Sequence, residues 1–130
     1  MWGVLVAVSI PIFTAQLEKA REATDLANLR AAYAEGSAAL LDGDYETDST
    51  SWGKYTAGTT TSLSGWYDIG TGKITQTLKV AGKGTGAKTN NTGITVGGFE
   101  YKTDTDYTKD GIKVTLNLSD NTCTVALTAQ

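Results

Sequence analysis

Apolar and polar positions divide this chain into a helical first third and an alternating remainder. Phe13, Leu17, Ala20, Thr24, Ala27, Ala31, Ala34, Ala38 and Leu41 recur at steps of four and three, which places them on one stripe of a helix. A second ridge, Leu26, Leu29, Tyr33 and Leu40, runs beside it. Glu18, Lys19, Arg21, Glu22, Asp25 and Arg30 occupy much of the remaining helix surface, with Arg21–Asp25 and Lys19–Glu22 as pairs within one turn. Gly36 interrupts the helix at a cost of about 1 kcal/mol relative to alanine. Pro11, the single proline, either kinks this helix or marks its first turn.

Beyond residue 41 the period changes. Residues 42–64 read as a loop with one short fragment near Trp52 to Tyr55. A short strand is expected at 65–69 and a half-buried strand at 73–80, with Ile74, Leu78 and Val80 on its inner face. Residues 81–93 read as a solvated loop, and 94–96 pairs with 99–102 around Gly97-Gly98. Ile112, Val114, Leu116 and Leu118 alternate with polar residues, then Cys123, Val125 and Leu127 do so after the turn Ser119-Asp120-Asn121. That is a β-hairpin with one buried face. The long helix carries the only extended apolar stripe for it to cover. The expected fold is therefore α+β, a long N-terminal helix packed on an antiparallel sheet. Residues 1–41 form the helix, apolar over 1–13 and amphipathic over 14–41, and residues 42–130 the β-rich body of the same domain.

Composition narrows the function. The chain has 130 residues, a net charge of −3 and scattered basic residues, so it lacks the clustered basic face that nucleic acid requires. The apolar run of 13 residues is shorter than the ~20 a membrane span needs. One cysteine, Cys123, excludes an internal disulfide and is expected to be buried on its strand. Without histidine, and without a paired acid and base, no catalytic set is found, and no enzyme is expected.

Three stretches carry candidate chemistry. Gly82 to Thr89 approaches the phosphate-loop pattern, but Ala87 replaces its second glycine and a turn, not a helix, follows. Asp42, Asp44, Glu46 and Asp48 alternate without the glycine spacing of an EF-hand. Asp104, Asp106 and Asp110 precede the final hairpin and are the better calcium candidate. Tyr45, Trp52, Tyr55, Trp66 and Tyr67 are expected to supply packing area.

Ile10-Pro-Ile-Phe13, the alanine-rich run from Thr14 to Ala23 and the β-rich body after it resemble type IV pilins and their pseudopilin relatives. The resemblance covers roughly residues 4–41. A basic leader ending in glycine, a following phenylalanine and a nearby glutamate are absent, so the chain is expected to be a truncated form of a longer subunit. The resemblance implies a subunit that polymerises into an extracellular, cell-surface filament. Val4, Leu5, Val8, Pro11, Ile12, Phe13, Leu17, Ala20, Thr24 and Ala27 would form its helix–helix assembly interface. Implied partners are identical subunits, a pilus assembly machinery with an ATPase motor, a prepilin peptidase, and the membrane through the complete helix before assembly. No cofactor is implied for a pilin, whereas calcium at Asp104, Asp106 and Asp110 would fit a pseudopilin of a secretion or competence system. A membrane-anchored binding module, with ligand contacts near Trp52 and Trp66, is the alternative of a different class.

Overall fold

The computed structural model describes residues 2–87, 89 and 94–130, with side chains from Gln16 onward. One helix, α1 (Trp2–Asp42), occupies the first third of the chain. At 1.5 Å per residue it is about 60 Å long. It runs through Pro11, so that residue lies within the helix and not at its first turn.

A 3₁₀ turn (Asp44–Glu46) and a one-turn helix, α2 (Ser49–Trp52), follow. Asp48 starts α2: its carboxylate accepts from the Ser51 amide at 3.1 Å and the Ser51 hydroxyl at 2.8 Å, satisfying a donor that the helix cannot. The strands are β1 (Ser62–Asp68), β2 (Lys73–Thr75), β3 (Ile94–Val96), β4 (Phe99–Tyr101), β5 (Gly111–Asn117) and β6 (Thr122–Thr128). Four of them form an antiparallel sheet in the order β2-β1-β5-β6, and β3 pairs with β4 separately. The Val125 amide donates to the Gly97 carbonyl at 3.1 Å and so ties the small hairpin to the edge of the large sheet.

Register puts the apolar residues in rows. Leu63, Leu116 and Cys123 stand abreast, then Gly65, Val114 and Val125, then Tyr67, Ile112 and Leu127. All nine are buried. Alternation along each strand sends their neighbours to the outer face, where Lys113 lies over the Trp66 ring at 5.9 Å. The hairpin expected at residues 112–128 is present, with Asn121 at φ 57° in its turn.

The helix meets this sheet, giving the expected α+β arrangement, but along a different line. Leu26, Leu29, Ala32, Gly36 and Ala39 are buried against the body, whereas the apolar stripe from Leu17 to Leu41 is exposed. Gly36 explains the choice. A Cβ there would collide with Cys123 Sγ and come within 2.6 Å of Val114 Cγ1. The helix backbone thus lies directly on the sheet at that point, and its neighbours on the same face follow it into the core. Burying a leucine such as Leu29 contributes about 1.5–3 kcal/mol.

Two strand expectations need correction. The first strand begins at Ser62 and not at residue 65, because the Leu118 amide donates to Thr61 at 2.9 Å and extends the pairing. The second ends at Thr75, not at residue 80. The Gln76 side-chain amide donates to the Ser51 and Ser64 carbonyls at 2.6 and 2.8 Å, and the chain turns away. Ile74 is buried, but Leu78 and Val80 are 37 % and 56 % exposed.

Candidate functional site

Three carboxylates expected on the helix surface are buried. Glu18, Glu22 and Asp25 are each 1 % exposed. Their spacing of four and three sets them on one helix face, N-terminal to the apolar contacts. The residues that cover them come from the stretch read as a solvated loop. Asp25 accepts from the Lys83 and Gly84 amides at 2.7 and 2.8 Å and from the Tyr101 hydroxyl at 2.7 Å. Glu18 accepts from the Thr85 amide at 3.0 Å and its hydroxyl at 2.7 Å. Glu22 accepts from the Thr89 hydroxyl at 2.8 Å.

Glycine lets the loop come this close. A Cβ on Gly84 would strike the Tyr101 hydroxyl and lie 3.1 Å from Asp25 Oδ2, and one on Gly82 would run into the Tyr107 backbone. The near match to a phosphate loop therefore has a structural meaning. Successive amides do converge on an anion, but the anions are the protein's own carboxylates. A hydrogen bond to a charged group is worth about 1.5–3 kcal/mol, and a buried charge left without one costs several. The loop and the helix thus fix each other's position. Burial first, then the hydrogen bond to Asp25 and the charges of Asp25 and Glu22, hold the Tyr101 phenol far above its ordinary range. Arg21 approaches Glu18 at 3.6 Å in place of its expected partner Asp25.

The opposite side of α1 is open. Leu17, Ala20, Thr24, Ala27, Ala31, Ala34, Ala38 and Leu41 are all exposed, Leu41 to 85 %. Thr24 belongs with them because its hydroxyl donates to the Ala20 carbonyl at 2.9 Å within the helix. Of the residues expected at an assembly interface, Leu17, Ala20, Thr24 and Ala27 share this face. Val4, Leu5, Val8, Pro11, Ile12 and Phe13 lie outside the residues whose side chains are described. Among the described residues, no helix is long and apolar enough to cross a membrane.

The other candidates are dispersed. Asp106 accepts from the Thr108 hydroxyl at 2.6 Å and the Thr108 amide at 2.9 Å, which holds its carboxyl below the usual range. Partial burial, then the charge of Asp106, raises Asp110. Among the described residues, no three Asp, Glu or Cys side chains gather closely enough to hold a metal ion. Cys123 is buried, which pushes its thiol upward. Trp52 and Tyr67 are core residues, Tyr45 and Tyr55 meet edge to face at 5.5 Å, and Trp66 lies on the outer side of the sheet. Trp52 and Trp66 therefore do not share one ligand surface. No protein-family model, curated protein or solved structure matches this chain.

Proposed function

We propose that this protein is a structural subunit that polymerises through its N-terminal helix into a type IV pilus-like extracellular filament. The reading rests on the resemblance of residues 4–41 to type IV pilins. One observation supports it most: the helix face opposite the body is exposed, uncharged and made of small residues from Leu17 to Leu41. Small side chains let a neighbouring helix approach closely. A head-to-tail contact that does not close on itself yields an open fibre. The sheet covers the other side of the helix and forms the outer coat of the fibre. Before assembly, the complete helix anchors the subunit in the cytoplasmic membrane.

Electron microscopy tests this on filaments sheared from the source cells and labelled with antibody against residues 42–130. Label along the whole filament is the expected result. Cells that carry no labelled filament, even when the full-length gene is overexpressed, would sink the polymer reading and favour an anchored binding module.

A further inference from the structure

A cleft of about 300 Å³ lies where the last turns of α1, the 3₁₀ turn, α2 and the start of β2 meet. Its floor is apolar: Ala39, Trp52 and Ile74 are all buried. Its rim is acidic. Glu35 and Asp42 share the helix face of Ala39, at steps of four and three, and Asp44 and Asp48 join them from the segment that follows. Lys73 is the one cation in the lining, and it makes no ion pair among the described residues. The carbonyl end of α1 adds to the negative potential here, since no basic residue stands in its last turn to offset it.

The floor also holds an unused donor. Trp52 is 4 % exposed, and its indole N–H has no hydrogen-bond partner among the described residues. That N–H is not sealed from solvent, because no fully enclosed side-chain nitrogen is left without a partner. The small open part of Trp52 therefore includes its donor, and Trp52 lines the cleft. A side chain fixed by packing thus keeps one hydrogen bond for an acceptor that enters.

These features together select a ligand. The carboxylates are too dispersed for a metal ion: among the described residues, no three acidic side chains gather closely enough to hold one. A bare ion would also leave the apolar floor and the indole donor unused. An aliphatic stem suits the floor, a cationic head suits the rim, and a neutral carbonyl meets the indole N–H. We infer that the cleft binds an arginine or lysine residue of a partner polypeptide. The side chain lies over Ala39, Trp52 and Ile74, its cation sits among the four carboxylates, and a backbone carbonyl accepts from Trp52. A free basic amino acid fits less well, because the rim repels its own carboxylate. The volume is at the lower end of ligand sites and suits one side chain. The inference does not depend on filament formation.

NMR titration of the isotope-labelled full chain tests this, with Nα-acetyl-arginine amide as the probe at constant ionic strength. The Trp52 indole signal should move downfield and saturate. Glu35→Gln combined with Asp42→Asn should weaken binding about fivefold or more, as loss of two exposed ion pairs would. Glu46→Gln, in the same acidic run but outside the lining, should leave it within about twofold. Both rim positions are exposed on the helix, and signals away from the cleft should stay in place and so show that each variant is folded. An indole signal that does not move overturns the inference. So does one that moves equally with uncharged Nα-acetyl-glutamine amide, with calcium chloride alone, or in the rim variant. Free arginine should bind more weakly than the amide, and tighter binding would overturn the polypeptide source.

Discussion

Gly36 and Tyr101 are the residues whose roles are decided by what they touch. Gly36 looks like a flaw in a helix, costing about 1 kcal/mol. In the structure it is the point where the helix lies against Cys123 and Val114. Gly36→Ala therefore sets a small gain in helix propensity against overpacking of about 1–3 kcal/mol. The expected result is a lower unfolding midpoint, partly recovered when Cys123→Ala is added to make room. Tyr101 gives a pH signature. Its phenol holds the proton in the folded protein beyond the ordinary tyrosine pKa of about 10. Above that pH the unfolded chain gives up a proton that the folded chain keeps. Stability, fully present below pH 10, then falls by up to about 1.4 kcal/mol per pH unit. Tyr101→Phe should be less stable at neutral pH, having lost the bond to Asp25, yet its urea midpoint should decline less steeply above pH 10.

At the scale of elements, legibility followed periodicity. The final hairpin was readable because Ile112 to Leu118 and Cys123 to Leu127 alternate without a break. The long helix was readable for the same reason at its own period. Its orientation was not, since two adjacent ridges of similar apolarity compete and the choice rests on the fit at Gly36 and on the carboxylate contacts of Glu18, Glu22 and Asp25. The start of β1 was hidden because Leu63 is its single apolar residue before Trp66. The early end of β2 depends on a side chain, Gln76, bonding to two carbonyls elsewhere in the chain. The carboxylate contacts were hidden most completely. Glu18, Glu22 and Asp25 look like ordinary surface acids, and the donors that bury them lie some sixty residues away in a glycine-rich stretch. Only the near match to an anion-binding loop hinted that those amides converge on negative charge.

For the whole molecule, the division of the helix into a covered and an open side would, under the proposed filament function, separate folding from assembly. A substitution on the open side should leave the first intact and abolish the second. Ala27→Glu is exposed and away from the core, so its effect on stability should fall within about 0.5 kcal/mol. Under the proposed filament function, the same change places a charge in the middle of a close helix contact. Normal circular dichroism and thermal unfolding with no filaments on cells is the expected outcome. Normal filaments would show that this side of the helix is not the contact.

The loop that grips Glu18, Glu22 and Asp25 also has a mechanical meaning. Together with the buried contacts of Leu26, Leu29, Ala32, Gly36 and Ala39 it fastens the helix to the body over about 30 Å of its axis, from Glu18 to Ala39. The amides of Lys83, Gly84 and Thr85 and the hydroxyls of Thr85, Thr89 and Tyr101 all donate to carboxylates on the helix. A pull along the helix loads these bonds together, because they join one stretch of helix to one stretch of the body. The protein under tension would therefore stretch as one piece, and its helix would not peel away from the sheet turn by turn.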